Sequence, residues 1–208
     1  MSHSEQLRNI TLEILDETRP AYSCRAEVME LKAIFEDVGS LSFAREISDG
    51  ETATNAGTAI SPMMAAMCLD DFARTVQFIR GVHEAIVDQR RKHAERPVRI
   101  LYAGCGPWST LAVPLMSLFT AEEARFTLID IHAESIRSAE RVVRLLELTD
   151  RVQAFVIGDA VTFKMDAAAK PDVIVIEMLR AALDAEPQVA VAMNLTGQAS
   201  RAVLIPEK

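Results

Sequence analysis

Cysteine is scarce in this chain, and the three present, Cys24, Cys68 and Cys105, form neither a CxxC pair nor a cluster with the few histidines. That speaks against a disulfide framework or a thiolate zinc site and fits free thiols in a reducing compartment. Long hydrophobic runs are also missing: none approaches the roughly 18 residues that a membrane-spanning helix needs. The amino-terminal stretch "MSHSEQLRNITLEILDE" is polar and amphipathic, unlike a signal peptide, so the chain reads as cytoplasmic. Positive charge is in deficit, with 22 Lys and Arg against 30 Asp and Glu and a net charge of -8, which argues against broad contact with a nucleic-acid backbone. The basic cluster "DQRRKHAERPVR" at 88–99 reads as the solvated end of a helix. No fixed-period repeat and no low-complexity segment is present.

What the chain has is apolar material: 50% of its 208 residues are hydrophobic, enough for one substantial domain with an accessory segment. Up to about residue 95 the spacing is helical. Ile10, Leu12, Ile14 and Leu15 form one apolar face, and Val28, Leu31, Ile34, Phe35 and Val38 form another that Gly39 terminates. The stretch "SDGETATNAGTAISP" at 48–62 predicts a long loop of the kind that often serves function. Further helices are predicted from about Pro62 and from about Asp70 to before Pro97. Met63, Met64 and Met67 with Cys68 look like a core face.

After Pro97 the period changes. "VRILYA" (98–103), "RFTLIDI" (125–131), "VQAFVI" (152–157), "DVIVIEM" (172–178) and "RAVLIP" (201–206) are short β-branched runs separated by helical stretches. Strands alternating with helices predict a parallel, doubly wound α/β sheet, because each right-handed crossover needs a helix of about that length. The division expected is a helical cap at 1–95 and a Rossmann-like domain at 96–208.

In such a sheet, ligands bind at the carboxyl ends of the strands beside the point where strand order reverses. Gly104 and Gly106, in "ILYAGCGP", lie at the first strand-to-helix turn, where glycine permits positive φ and close approach to a ligand. Asp130 ends the second strand and could accept hydrogen bonds from the hydroxyls of a ribose, or cap the next helix. Asp159 follows the third strand, after Gly158, and could accept an amino-group proton from an adenine.

These positions resemble the motifs of class I S-adenosylmethionine-dependent methyltransferases, over about residues 97–206. The resemblance implies S-adenosyl-L-methionine as cofactor, with its methionine part against Gly104 and Gly106, its ribose at Asp130, its adenine at Asp159 and Ala160, and Ala103, Cys105 and Ile131 as neighbouring contacts. It departs from the family at two places: Tyr102 stands where an acidic residue is usual, and Trp108 where a third glycine is usual. Trp108 is expected to pack on the sheet. Pro114 implies a short or kinked first helix. Cys105 would be a small buried residue whose thiol the helix terminus acts to lower in pKa, and His132 a surface histidine opening a helix.

A finer similarity is to protein arginine methyltransferases, in which two glutamates grip a guanidinium. Glu177 and Glu186 are similar in place and are the catalytic candidates, although Ile176 replaces the family's serine and each glutamate can also be explained as solvated or first-turn acid. Glu177, at a strand's carboxyl end, is the better single candidate.

The function expected is therefore methyl transfer from S-adenosylmethionine to an unidentified acceptor, a small molecule or a protein side chain, in which proximity and orientation dominate and a general base is optional. Three alternatives stay open. Nicotianamine-synthase-like enzymes, with a similar "GCGP" turn, transfer an aminocarboxypropyl or aminopropyl chain instead. A nicotinamide-dependent oxidoreductase would want glycine where Ser109 stands. A non-catalytic cofactor-binding module is the last: this family's sheet normally continues beyond a fifth strand, so the domain is expected to be incomplete at its carboxyl end or to pair its exposed edge in a homo-oligomer. Neither a metal, a membrane nor nucleic acid is expected as a partner.

Overall fold

The computed structural model describes residues 2–41, 50–178 and 187–206. Helix α1 (His3–Leu15) opens on a capping box in which the Ser2 side chain accepts from the Glu5 amide and Glu5 reaches back to the Ser2 amide. Helix α2 (Arg25–Val38) ends at Gly39, whose amide donates to Phe35 O. A Cβ at Gly39 would lie 2.6 Å from that carbonyl oxygen and 3.0 Å from Trp108 Nε1, so glycine is required by close approach. Helix α3 (Pro62–Met67) has Ser61 as N-cap and proline in its first turn. Helix α4 (Phe72–Lys92) starts at Asp71, whose side chain accepts from the Arg74 amide.

The segment expected to be a plain loop contains an antiparallel hairpin, β1 (Thr52–Thr54) and β2 (Gly57–Ala59). Its strands are too short for periodicity to reveal, and the Thr54 hydroxyl closes the turn by donating to Gly57 O at 2.7 Å.

The carboxyl-terminal part is the expected doubly wound sheet. Strands β3 (Val98–Ala103), β4 (Ala124–Asp130), β5 (Val152–Ile157), β6 (Val173–Ile176) and β7 (Val203–Ile205) lie in the order β5-β4-β3-β6-β7, with every pairing parallel. The chain moves outward from β3 to β5 and then returns to the other side of β3, so strand order reverses between β3 and β6. Register places Ala103 opposite both Ile129 and Ile176. The segments that follow β3, β4 and β6 therefore leave the sheet at one level.

Helices α5 (Val113–Met116), α6 (Ala133–Leu145) and α7 (Gln188–Gln198) complete the crossovers. The helix after β3 is shorter than the apolar pattern predicts, because turns occupy residues 107–112; Pro114 then sits in the first turn of α5, where its missing amide costs nothing.

Strand alternation divides the core. Ile100, Tyr102, Phe126 and Val175 join a cluster continuous with Leu7, Ile14, Leu31 and Val76, so the amino-terminal helices and the sheet share one core. Leu101, Ala103, Ile174 and Ile176 face the smaller cluster built with Val191 and Leu195 of α7. Each fully buried Leu, Ile or Phe here contributes about 1.5–3 kcal/mol by removal from water.

Candidate functional site

The turn after β3 is built by two glycines in the left-handed region, Gly104 at φ +70° and Gly106 at φ +64°. The amides of Gly104 and Cys105 both donate to Ile129 O, at 2.8 and 3.0 Å, which folds the turn over the end of β4. Asp130 receives the next amides: Gly106 N–H on Oδ2 at 2.9 Å and His132 N–H on Oδ1 at 2.8 Å. Its own carbonyl accepts from Gly158 at 2.9 Å, so the turns after β3, β4 and β5 are tied to one residue. Asp130 is 7% exposed; Oδ2, with one lone pair used by an amide, retains another for a ligand, while Oδ1 also faces the His132 ring.

These turns form the floor of a cleft of about 970 Å³, including its open mouth. Gly104, Cys105, Gly106, Asp130, Ile131, Asp159 and Ala160 all line it. Asp159 holds its own turn, Oδ1 accepting from the Val161 amide at 2.8 Å. Ala103 is the exception: its side chain is fully buried in the smaller core cluster under the sheet, because a residue that ends β3 on that face cannot also face the cleft. Glu186 lies outside the described residues.

Several lining residues carried little sequence signal. Ser135, in the first turn of α6, also lines this cleft, and its Oγ is buried with no hydrogen-bond partner among the described residues. His132 is not on the surface. It is the N-cap residue of α6, its ring held with Nδ1 3.3 Å from Asp130 Oδ1 and Nε2 3.0 Å from Thr52 Oγ1 of the hairpin. Cys105 is buried, and loss of solvation, followed by the nearby Asp130 charge, pushes its thiol well above the ordinary range, overriding the expected lowering. Trp108 does pack as expected, stacked on Phe35 with ring centroids 5.8 Å apart. The methionine face is only partly core: Met63 is buried, Met67 is exposed, and Cys68 lines the cleft.

On the side facing the amino-terminal helices, Glu177 leaves β6 into the cleft and pairs with Arg74 of α4, Nη1 to Oε1 3.2 Å. Met178 follows, its amide donating to Gln188 Oε1 at 3.0 Å while the Gln188 side-chain amide donates to Ile176 O. The methionine side chain lies over Gly104, where a Cβ would come within 2.5 Å of Met178 Cε. Tyr102 also opens onto this side, 4% exposed. Thr54 of the hairpin, Ile60, Leu69 in the turn after α3 and Phe78 of α4 form the roof. Arg74 was invisible in the sequence because a helix face acquires a site only from what it packs against.

Among solved structures, the chain is similar to an S-adenosylmethionine-dependent methyltransferase from Thiobacillus denitrificans in complex with S-adenosyl-L-homocysteine, at 21% identity over 54% of this chain and 44% of that one, with a TM-score of 0.35. It is similar to magnesium protoporphyrin IX methyltransferase from Synechocystis with bound S-adenosylhomocysteine, at 15% identity over 52% and 45%, with a TM-score of 0.36. It is similar to geranyl diphosphate C-methyltransferase from Streptomyces coelicolor, at 14% identity over 99% and 64%, with a TM-score of 0.40. The chain spans about half the length of the first solved structures it matches. No family model and no curated protein matches it.

Proposed function

We propose that the chain binds S-adenosyl-L-methionine in this cleft and is a methyltransferase. The observation that carries this is convergence. Gly104 and Gly106, Asp130, and Asp159 with Ala160, which are separate in sequence, line one cleft at the reversal of strand order and are tied through Asp130. The residues fit the cofactor: the glycine turn, with Met178 lying over Gly104, for its amino-acid end, the Asp130 carboxylate for ribose hydroxyls, and Asp159 for an exocyclic amino group.

When bound, S-adenosylmethionine supplies an electrophilic methyl group on a sulfonium sulfur. The chain's part is to hold an acceptor in line with it and to keep water out. Residues 1–95 would act as the cap that shapes the acceptor pocket, with Glu177 at its inner wall. Free thiols and an acidic balance fit a cytoplasmic enzyme acting on a small molecule or a protein side chain, as a monomer or a homo-oligomer.

Calorimetric titration with S-adenosylhomocysteine tests the proposal. Micromolar binding is expected, with S-adenosylhomocysteine as the product of turnover. No binding by the folded protein would overturn it, and methylthioadenosine as product would replace methyl transfer by chain transfer.

A further inference from the structure

Tyr102 and Glu177 stand on the same face of neighbouring strands. Tyr102 of β3 pairs with Val175 of β6, and Glu177 lies two residues beyond Val175, so the period of two brings both toward α4. Both line the cleft, and Arg74 of α4 closes on Glu177 from above. The tyrosine is anomalous as a core residue. It is 4% exposed, yet its hydroxyl makes no hydrogen bond among the described residues. The hydroxyl is not among the fully buried polar atoms, so its hydrogen-bonding capacity is open to what enters the cleft. Burial, followed by the Glu177 charge, pushes the phenol well above its ordinary pKa of about 10, so at neutral pH it is a hydrogen-bond donor.

The charged groups on this side already face one another, one guanidinium between two carboxylates. Arg74 faces Glu177 at 3.2 Å and Asp71 Oδ2 at 3.8 Å, and the roof beside them is apolar through Ile60, Leu69 and Phe78. A cationic acceptor would compete with Arg74 for Glu177, and an anionic one with Glu177 for Arg74; either exchange desolvates a second charge. A donor at Tyr102 beside an acceptor at Glu177 matches a group that both accepts and donates. A hydroxyl does both; a carboxylate lacks the proton, and an ammonium lacks the lone pair.

We propose that the methyl acceptor is an uncharged molecule with an apolar body and a hydroxyl group, and that Tyr102 determines this specificity by donating to the hydroxyl oxygen while Glu177, held by Arg74, accepts its proton in a hydrogen bond. The inference rests on the methyl-transfer reading of the cleft and names the class of its acceptor.

Three probes that share a ring and differ in charge test it: 4-methylphenol, 4-methylbenzoate and 4-methylbenzylamine, each titrated calorimetrically into protein saturated with S-adenosylhomocysteine. The phenol is expected to bind at least tenfold more tightly than either ion. Tyr102→Phe is expected to weaken phenol binding about fivefold, the scale of one hydrogen bond, while leaving S-adenosylhomocysteine affinity and the melting temperature unchanged. A purely structural tyrosine would lower the melting temperature and leave phenol affinity alone. Tighter binding of either ion, unchanged phenol affinity in Tyr102→Phe, or binding of none of the three at millimolar concentration overturns the proposal. Failure of S-adenosylhomocysteine to bind falls on the cofactor reading instead, and the same criteria then apply to the probes titrated into the protein alone.

Discussion

The backbone amide of Gly106 donates to Asp130 Oδ2 at 2.9 Å, joining the turn after β3 to the end of β4. Because the His132 amide occupies Oδ1, this carboxylate both builds the cleft and faces it.

Asp130→Asn therefore has two expected effects. One of the two amides loses its acceptor, at a cost of about 1–3 kcal/mol, and S-adenosylhomocysteine affinity falls by at least tenfold, about 1.4 kcal/mol. Thermal melts and titration of the same variant separate them. A lowered melting temperature with unchanged affinity would reduce Asp130 to a scaffold role.

The two glycines of the turn are expected to respond differently to alanine. Both variants strain a left-handed backbone, by about 1–2 kcal/mol. At Gly106 the new Cβ meets Ala65 Cβ at an ordinary 3.4 Å, whereas at Gly104 it meets Met178 Cε at 2.5 Å and Cγ at 3.1 Å. Gly104→Ala must displace Met178 and so alter the cleft, and its ligand affinity should fall further than that of Gly106→Ala. Adding Met178→Ala should recover part of the loss; no recovery would mean that the backbone alone is responsible.

The hairpin is attached to the floor of the cleft by Thr52 and His132, 3.0 Å apart. Thr52→Val should remove about 1 kcal/mol from that attachment. Amide hydrogen exchange across residues 52–59 should speed up about fivefold while β3 and β4 stay protected. Equal exchange in both proteins would show that roof packing alone holds the hairpin.

Far from the cleft, Asp172 accepts both Arg96 guanidinium nitrogens at 2.7 and 2.8 Å and the Arg99 amide at 2.9 Å. Burial acts to raise the Asp172 pKa, but Arg96 and the Arg99 amide outweigh it and leave the carboxyl below its ordinary value. Its contribution is therefore present above the unfolded value of about 3.9 and lost as pH falls through the lower folded value. Asp172→Asn should cost about 2 kcal/mol at neutral pH. The gap in melting temperature between wild type and variant should hold from pH 7 to 5 and narrow below about pH 4. A constant gap at low pH would contradict the lowered pKa.

The strands were legible because each is a β-branched run bounded by turn residues: "VRILYA" and "VQAFVI" coincide with β3 and β5, and β4 begins one residue earlier than its run. Helices α3 and α4 were legible from Pro62 and from the capping position near Asp70, where Asp71 is the cap. The floor of the cleft was equally readable, since Gly104, Gly106, Asp130 and Asp159 owe their places to local turns at strand ends. Ala103 was misplaced toward the cleft because spacing within a motif does not reveal which face of the sheet a strand-end residue takes.

The amino-acid order by itself determined the alternation of strands and helices, the turn that demands glycine and the carboxylates that end β4 and follow β5, because each depends on neighbours a few residues away. The tertiary structure alone decided the roof side of the cleft: that Arg74 meets Glu177 across 103 residues of chain, that Thr52 meets His132, and that Tyr102 opens onto the cleft beside them. Those relations arise where α4 and the hairpin pack over the carboxyl edge of the sheet, and packing between distant segments leaves no periodic trace along the chain.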